Sequence, residues 1–280
     1  MKTAHKIALA KAVYTGVHAA RSVAGMRDQC VVRRKGIRFA LDLSEGIDFS
    51  IFLLGAFEPS TTAALAGLVK PGSIVFDVGA NVGAHTLPLA KLVGEQGKVF
   101  AFEPTDFAYR KLSANLVLNP ELAQRVKSYQ CFLGREDSRE VPQRIYSSWP
   151  LRGGGDLNET HLGRVENSGG ATVRSLDDIW SENGNGKVDI IKMDVDGYEC
   201  DVLSGARRVI GASRPTFVME LTPYCLEERG ASMGELLAFF AEFKYQFYHE
   251  KTNARLPTAE QEVIDMIGPA SSINVIARPL

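Results

Sequence analysis

Four cysteines are scattered through 280 residues, at Cys30, Cys131, Cys200 and Cys225, and no two stand in C-x-x-C spacing. The scatter argues against a disulfide scaffold or a zinc site and fits reduced thiols in a cytoplasmic-type compartment. No apolar run approaches the ~18–20 residues of a membrane span. The opening MKTAHKIALAKAVYTGVHAA is basic, but Lys11 and His18 interrupt the apolar stretch a secretory leader needs, so no cleaved signal is expected. Low-complexity tracts are absent, and neither sign of charge dominates. The 32 basic and 33 acidic residues leave a net charge of −1, which gives the whole molecule no electrostatic reason to seek nucleic acid. At 45% hydrophobic and 23% charged residues, the composition is that of a globular chain, long enough for one core plus an appendage. Charge is uneven along it, however. Residues 1–40 hold nine Lys and Arg against Asp28 alone, a local +8.

The G-x-G-x-x-G of a dinucleotide site is missing as well. In its place stands the stretch 73–104, SIVFDVGANVGAHTLPLAKLVGEQGKVFAFEP. Ile74, Val75 and Phe76 lead to Asp77 and the turn Gly79-Ala80-Asn81-Val82-Gly83. Leu87, Leu89 and Leu92 then recur at helical spacing, and a second apolar run from Val99 to Phe102 ends on Glu103. Strand, tight turn, helix, strand and carboxylate make a nucleotide-binding βαβ unit. Glycine lets the backbone approach a bulky ligand, and a carboxylate ending the second strand suits two vicinal ribose hydroxyls. Asp77 before the turn favours a ligand with a cationic end, such as S-adenosylmethionine, over one with a pyrophosphate. Two plainer readings stay open: a phosphate site at Gly79–Gly83, and a crossover whose small residues serve packing alone.

The rest of the chain predicts an α/β fold. Residues 4–26 read as a helix with Leu9, Val13 and Val17 on one face. It would pack on the domain, on a second copy in a homodimer, or weakly against an anionic membrane surface. Cys30–Arg34 and Ile37–Leu43 read as a hairpin about Lys35-Gly36, and Ser60 or Thr61 as the cap of a helix through Val69. The expected organisation is a helix-and-hairpin extension over 1–60 and a catalytic domain over 61–280. Within that domain Phe107–Leu118, Tyr198–Ile210 and Ser232–Phe243 read as helices. Val126–Phe132, Pro215–Leu221, Tyr245–His249 and Ile273–Ala277 read as strands. Residues 134–172 lack core periodicity and read as a flap over the ligand side of the sheet.

Acids stand at nearly every strand end: Asp77, Glu103, Asp194, Asp196 and Glu220. Asp194 is the candidate general base, and Lys192, two residues earlier on the same face, could hold it ionised. Asp196, Glu199 and Glu220 are candidates for orienting an acceptor, and His161 in the flap for facing it. The plainer alternative pairs Asp194 with Lys192 and makes Asp196 a helix cap. His85 reads as a capping or packing residue, and no spacing demands a metal.

The segments FDVGANVGAHT (76–86), VFAFEP (99–104), SLDDIW (175–180), DIIKMDVDGYECDVLSGA (189–206) and RPTFVMEL (214–221) together resemble the FkbM family of S-adenosylmethionine-dependent methyltransferases. The resemblance runs from about 57 to 221. It implies a class I, Rossmann-like sheet of seven strands in the order 3-2-1-4-5-7-6, and methyl transfer, usually to oxygen. Implied acceptors are hydroxyls on sugars, glycolipids or polyketides, with no nucleic acid as partner. The family's cofactor motif falls on Asp77, Gly79, Asn81, Gly83 and Glu103, with Ala80, Thr86 and Pro104 completing the expected cofactor-binding set. Its second motif falls on Lys192, Asp194, Gly197 and Glu199. Asp196 departs from the family's common glutamate, which shortens the reach of that carboxylate. The rival readings are a nicotinamide-dependent oxidoreductase on the same fold and a non-catalytic, cofactor-binding scaffold in a glycan-assembly complex. The expected location is cytoplasmic, with peripheral membrane contact through the basic N-terminus left open.

Overall fold

The computed structural model describes residues 3–135, 141–142, 144–147, 149–152 and 163–280. The chain opens with helix α1 (Thr3–Val23), the antiparallel hairpin β1 (Gln29–Arg34) and β2 (Ile37–Asp42), then α2 (Gly46–Leu54) and α3 (Pro59–Leu68). Next come β3 (Ile74–Val78), α4 (Thr86–Leu92), β4 (Lys98–Phe102), α5 (Asp106–Val117), α6 (Pro120–Ala123) and β5 (Val126–Tyr129). Short strands β6 (Cys131–Leu133), β7 (Arg144–Ser147), β8 (Arg164–Asn167) and β9 (Thr172–Arg174) precede α7 (Leu176–Glu182). The last part runs β10 (Ile190–Met193), α8 (Glu199–Ser204), α9 (Arg207–Ser213), β11 (Thr216–Leu221), α10 (Pro223–Glu228), α11 (Met233–Glu242), β12 (Tyr245–His249), α12 (Glu260–Ile267) and β13 (Ile273–Pro279).

Seven strands form the central sheet in the order β12-β13-β11-β10-β3-β4-β5. Numbered by their occurrence along the chain, that is 3-2-1-4-5-7-6, as the family resemblance implies. Strand β13 alone runs antiparallel to its neighbours β11 and β12, and the other pairings are parallel. Parallel strands covered on both faces need apolar side chains on both. Accordingly Phe76, Phe102, Ile191 and Met193 pack into one core, while Val75, Val99, Ile190 and Val218 pack into another. The register sets Lys192 of β10 beside Asp77 of β3.

Local departures from the sequence reading have steric causes. Residues 126–132 split at Gln130 into β5, in the central sheet, and β6, which pairs with β9. The helix expected over 198–210 is two, α8 and α9. A Cβ at Gly205 would lie 2.1 Å from the Gly134 carbonyl oxygen, so the chain turns there against that backbone. Neither Ser60 nor Thr61 caps α3; Glu58 holds that position at φ 41°, with Pro59 as the first helical residue. Strands β7 and β8 pair antiparallel inside the stretch that lacks core periodicity. Helices α10 and α12 were not expected from the sequence at all.

Candidate functional site

A cavity of about 590 Å³ opens beyond the carboxyl ends of β3, β4, β10 and β11. That is where open α/β sheets bind ligands, and the volume is that of a small-molecule or cofactor site. Three covering pieces close it: α1 and α2 on one side, and a segment carrying Ile145, Trp149 and Gly163 on another.

The glycine turn makes one end. Gly79 (φ 74°) donates from its N–H to the Phe102 carbonyl at 3.1 Å. A Cβ there would fall 1.9 Å from the Asp194 carbonyl oxygen, so only glycine lets the loops after β3 and β10 meet. Asn81 (φ 48°) donates from its N–H to Glu103 Oε2 at 2.9 Å. Glu103 Oε1 accepts from the Thr105 N–H at 2.9 Å and from its hydroxyl at 2.5 Å. Burial raises the Glu103 pKa despite these bonds. A carboxylate has about four acceptor sites, so three are spent on the protein and room for one more remains. Ala80, Asn81, Glu103 and Pro104 face the cavity, with Phe102, Phe132 and Leu133 as an apolar wall.

Asp77, Gly83 and Thr86 stand behind the turn instead and do not line the cavity. Asp77 is fully buried and accepts from the Thr86 hydroxyl at 2.6 Å. Its other oxygen has no hydrogen-bond partner among the described residues and lies 3.7 Å from Lys192 Nζ. A Cβ on Gly83 would meet Leu112 at 2.8 Å. The direct meeting of Asp77 with a cationic ligand, expected from the sequence, gives way to support through its longer register neighbour Lys192, which reaches the cavity.

The other end is made of acids. Lys192, buried, donates to the Gly79 carbonyl at 3.0 Å and lies 3.7 Å from Asp194 Oδ2. Burial would lower its pKa, but Asp194 and Asp77 outweigh that and raise it, so it stays charged. For Asp194, burial raises the pKa against the pull of Lys192. Asp196 (φ 49°) is exposed on the open side of the cavity, where desolvation by the surrounding walls and the carboxylates of Asp194 and Glu199 raise its pKa. Glu220 accepts from Thr222 at 3.1 Å and from Ser272; burial and Asp194 push it up to about 8. Glu199 is buried and does not line the cavity. It takes the N–H of Gly197 at 3.4 Å, and burial pushes it up to about 7. His161 lies outside the described residues.

Two lining groups were not expected from the sequence as site residues. His85 is 3% exposed, and neither ring nitrogen has a hydrogen-bond partner among the described residues. Glu58 comes within 3.8 Å of its Nε2. Burial works to raise the Glu58 pKa, but His85 and Lys192 hold it below the ordinary carboxyl range. The sequence assigns Glu58 no role and puts the cap of α3 at Ser60 or Thr61, and nothing local signals the long-range meeting with the glycine turn.

Five carboxylates thus line the cavity, from Glu58, Glu103, Asp194, Asp196 and Glu220. Lys192 is the one Lys or Arg among its described lining residues, and it is engaged by Gly79 and two aspartates. A cation bound among these acids favours their ionised forms, so the lining suits a cationic ligand better than a pyrophosphate.

The family profile described as "Methyltransferase FkbM domain" matches residues 77–247, more than half of the chain. The chain belongs to the FkbM methyltransferase family. Among relatives, Methyltransferase sdnD of Sordaria araneosa is 29% identical over 156 residues, covering 47% of this chain and 59% of that protein. The 2-O-methyltransferase NoeI of Sinorhizobium fredii is 26% identical over 157 residues, covering 52% and 63%. The 31-O-demethyl-FK506 methyltransferase FkbM of Streptomyces tacrolimicus is 28% identical over 161 residues, covering 49% and 60%. The chain spans about three fifths of the length of each. The family's cofactor, S-adenosylmethionine, fits the residues present: the acids suit its sulfonium and ammonium, the Glu103 end has an acceptor site left for a ribose hydroxyl, and Phe102 and Phe132 supply an apolar wall.

Proposed function

We propose that the chain is an S-adenosylmethionine-dependent O-methyltransferase acting on a hydroxyl of a sugar, glycolipid or polyketide-type acceptor. The observation that carries this reading is the acidity of the cavity: five carboxyl groups around one engaged lysine, four of them at strand ends and Glu58 at the start of α3. The names of two relatives, a 2-O-methyltransferase and a 31-O-demethyl-FK506 methyltransferase, support oxygen as the acceptor atom.

S-adenosylmethionine supplies, when bound, an electrophilic methyl group on a sulfonium. The chain's own residues do the rest. Ala80, Asn81, Glu103 and Pro104 hold the nucleoside end. Asp194 accepts the proton of the acceptor hydroxyl. Lys192 positions Asp194 and pins the glycine turn to it by its bond to the Gly79 carbonyl. Asp196 and Glu220 orient the acceptor from the open side of the cavity, and Glu199 acts at one remove by holding the loop that carries Asp196.

Calorimetry with S-adenosylmethionine and with a nicotinamide dinucleotide tests the donor. Binding of the first and silence with the second is expected, and the reverse would restore the oxidoreductase reading. Incubation with methyl-labelled donor and fractionated lipid, glycan and small-molecule extracts then identifies what gains the methyl. If no fraction consumes the donor, the non-catalytic scaffold stands instead.

A further inference from the structure

The cavity is divided by chemistry. Four of the carboxylates and Lys192 lie at the strand ends and Glu58 at the start of α3, whereas the wall built by α1 and α2 is apolar, from Leu9 and Val13 to Phe49, Leu53 and Leu54. The one polar side chain of that wall, Ser50, donates its hydroxyl to the Ala56 carbonyl at 3.1 Å. The wall therefore offers a sugar ring no free side-chain donor. Toward solvent the wall ends in Leu9, Val13, Leu53 and Leu54, which are 60%, 37%, 50% and 59% exposed. Two neighbouring helices therefore spend four large apolar side chains on the rim of a polar site. Exposed apolar surface contiguous with a ligand cavity marks a place that something apolar covers.

The arrangement is a built one. Tyr14 of α1 packs edge-on against Phe49 of α2, ring centroids 5.6 Å apart. Arg34 donates to the Phe52 carbonyl at 3.2 Å, and both Arg21 and Arg34 stack on the Phe52 ring at 5.5 Å, which pins the last turn of α2 with Leu53 and Leu54 at the rim. Trp149 seats its ring against Gly46, where a Cβ would lie 2.2 Å from it, and closes the apolar end. All of α1 and α2 lies before residue 77, where the family match begins, so this wall is a feature of the chain's own N-terminal part.

We propose that the acceptor is an amphiphile, with its hydroxyl-bearing head at Asp194 and an aliphatic chain running along α1 and α2 to emerge between Leu9 and Val13 on one side and Leu53 and Leu54 on the other. The proposal rests on the reading of the cavity as a methyl-transfer site and adds the acceptor's second half. Continuity with the acid end selects this occupant: a head group held there leaves its attached chain one apolar exit.

The test needs no donor and no turnover. Full-length protein is titrated with hexyl, octyl and decyl β-D-glucoside below their micelle concentrations and with glucose, following the fluorescence of Trp149, the tryptophan on the cavity wall. Affinity is expected to rise about fourfold per buried methylene, with Trp149 responding, and glucose to bind far more weakly. Leu9→Glu and Leu53→Glu, at exposed positions where folding is little affected, should flatten the chain-length series. An affinity independent of chain length overturns the proposal. So does a series that persists unchanged in both variants. Binding of anionic phospholipid vesicles that the two substitutions abolish, with no glucoside response at Trp149, would make the rim a membrane contact instead. Any of these results leaves donor calorimetry untouched, so failure here is distinguishable from failure of the methyltransferase reading.

Discussion

At the Gly79–Glu103 end of the cavity, polar groups are tied to one another. Glu103 holds the Asn81 and Thr105 amides, Gly79 and Ala80 hang from the Phe102 carbonyl, and Lys192 clamps the Gly79 carbonyl. At the Asp194–Glu220 end, carboxylates face open volume with fewer partners and pKa values raised by burial and by each other. The first end is a preorganised mould, in which backbone donors are fixed before any ligand arrives. The second stores unfavourable charge that a cation or a hydroxyl network relieves. A site so divided suits a reaction in which one partner must be held still and the other must lose a proton.

The largest way to break that contrast is at Asp194. As general base, Asp194→Ala should cost about 10²–10⁴-fold in turnover while donor affinity by calorimetry stays nearly unchanged. A collapse of donor affinity would move Asp194 to the preorganised end. Lys192 belongs to both ends, and its loss should be felt in folding. Lys192→Met strips the buried Asp77 of its counter-charge, which by analogy with broken buried pairs costs about 3–5 kcal/mol in denaturant unfolding. Lys192→Met combined with Asp77→Asn should recover part of that loss, because the fully buried Asp77 charge is then no longer stranded. Equal stabilities of the single and double variants would show that Asp77 does not depend on Lys192.

The preorganised end was also the legible one. Glycines, acids at strand ends and apolar runs of strand length are local signals, and they predict the strands and the turn, while the strand order comes from the family resemblance. Roles that depend on which way a side chain faces were less so. Asp77 and Thr86 read as ligand contacts, yet they bond each other behind the turn. Glu199 reads as an acceptor contact, yet it caps its own loop. Glu58 and His85 meet across 27 residues of chain through the placement of α3, and no periodicity encodes that meeting. Of the cover, α1 was legible as a helix and α2 was not, and neither as a cavity wall, since an amphipathic face does not name what it packs on.

Glu103 sharpens the comparison at a smaller scale. Glu103→Ala removes an acceptor that serves Asn81, Thr105 and an open ligand site. Hydrogen bonds to a charged group contribute about 1.5–3 kcal/mol, so donor affinity should fall roughly 10–100-fold, with a lowered thermal midpoint from the orphaned amides. Unchanged affinity would refute the ribose role, and an unchanged midpoint would show that the turn holds itself.

The smallest effect is a slope against pH. Glu199 and Glu220 titrate in the folded chain at about 7 and about 8, against about 4.3 for an exposed glutamate. Between those values the folded state binds more protons than the unfolded one, so its stability falls as pH rises. This contribution is fully present below about pH 4.3 and is lost as pH passes through 7 and then 8. Thermal midpoints measured from pH 6 to 8.5 should therefore decline, and Glu220→Gln should decline less over the upper half of that range. Saturation with S-adenosylmethionine should flatten the wild-type slope, because a nearby positive charge favours the ionised carboxyl. A slope indifferent to donor would place the sulfonium out of reach of Glu220 and confine it to the preorganised end.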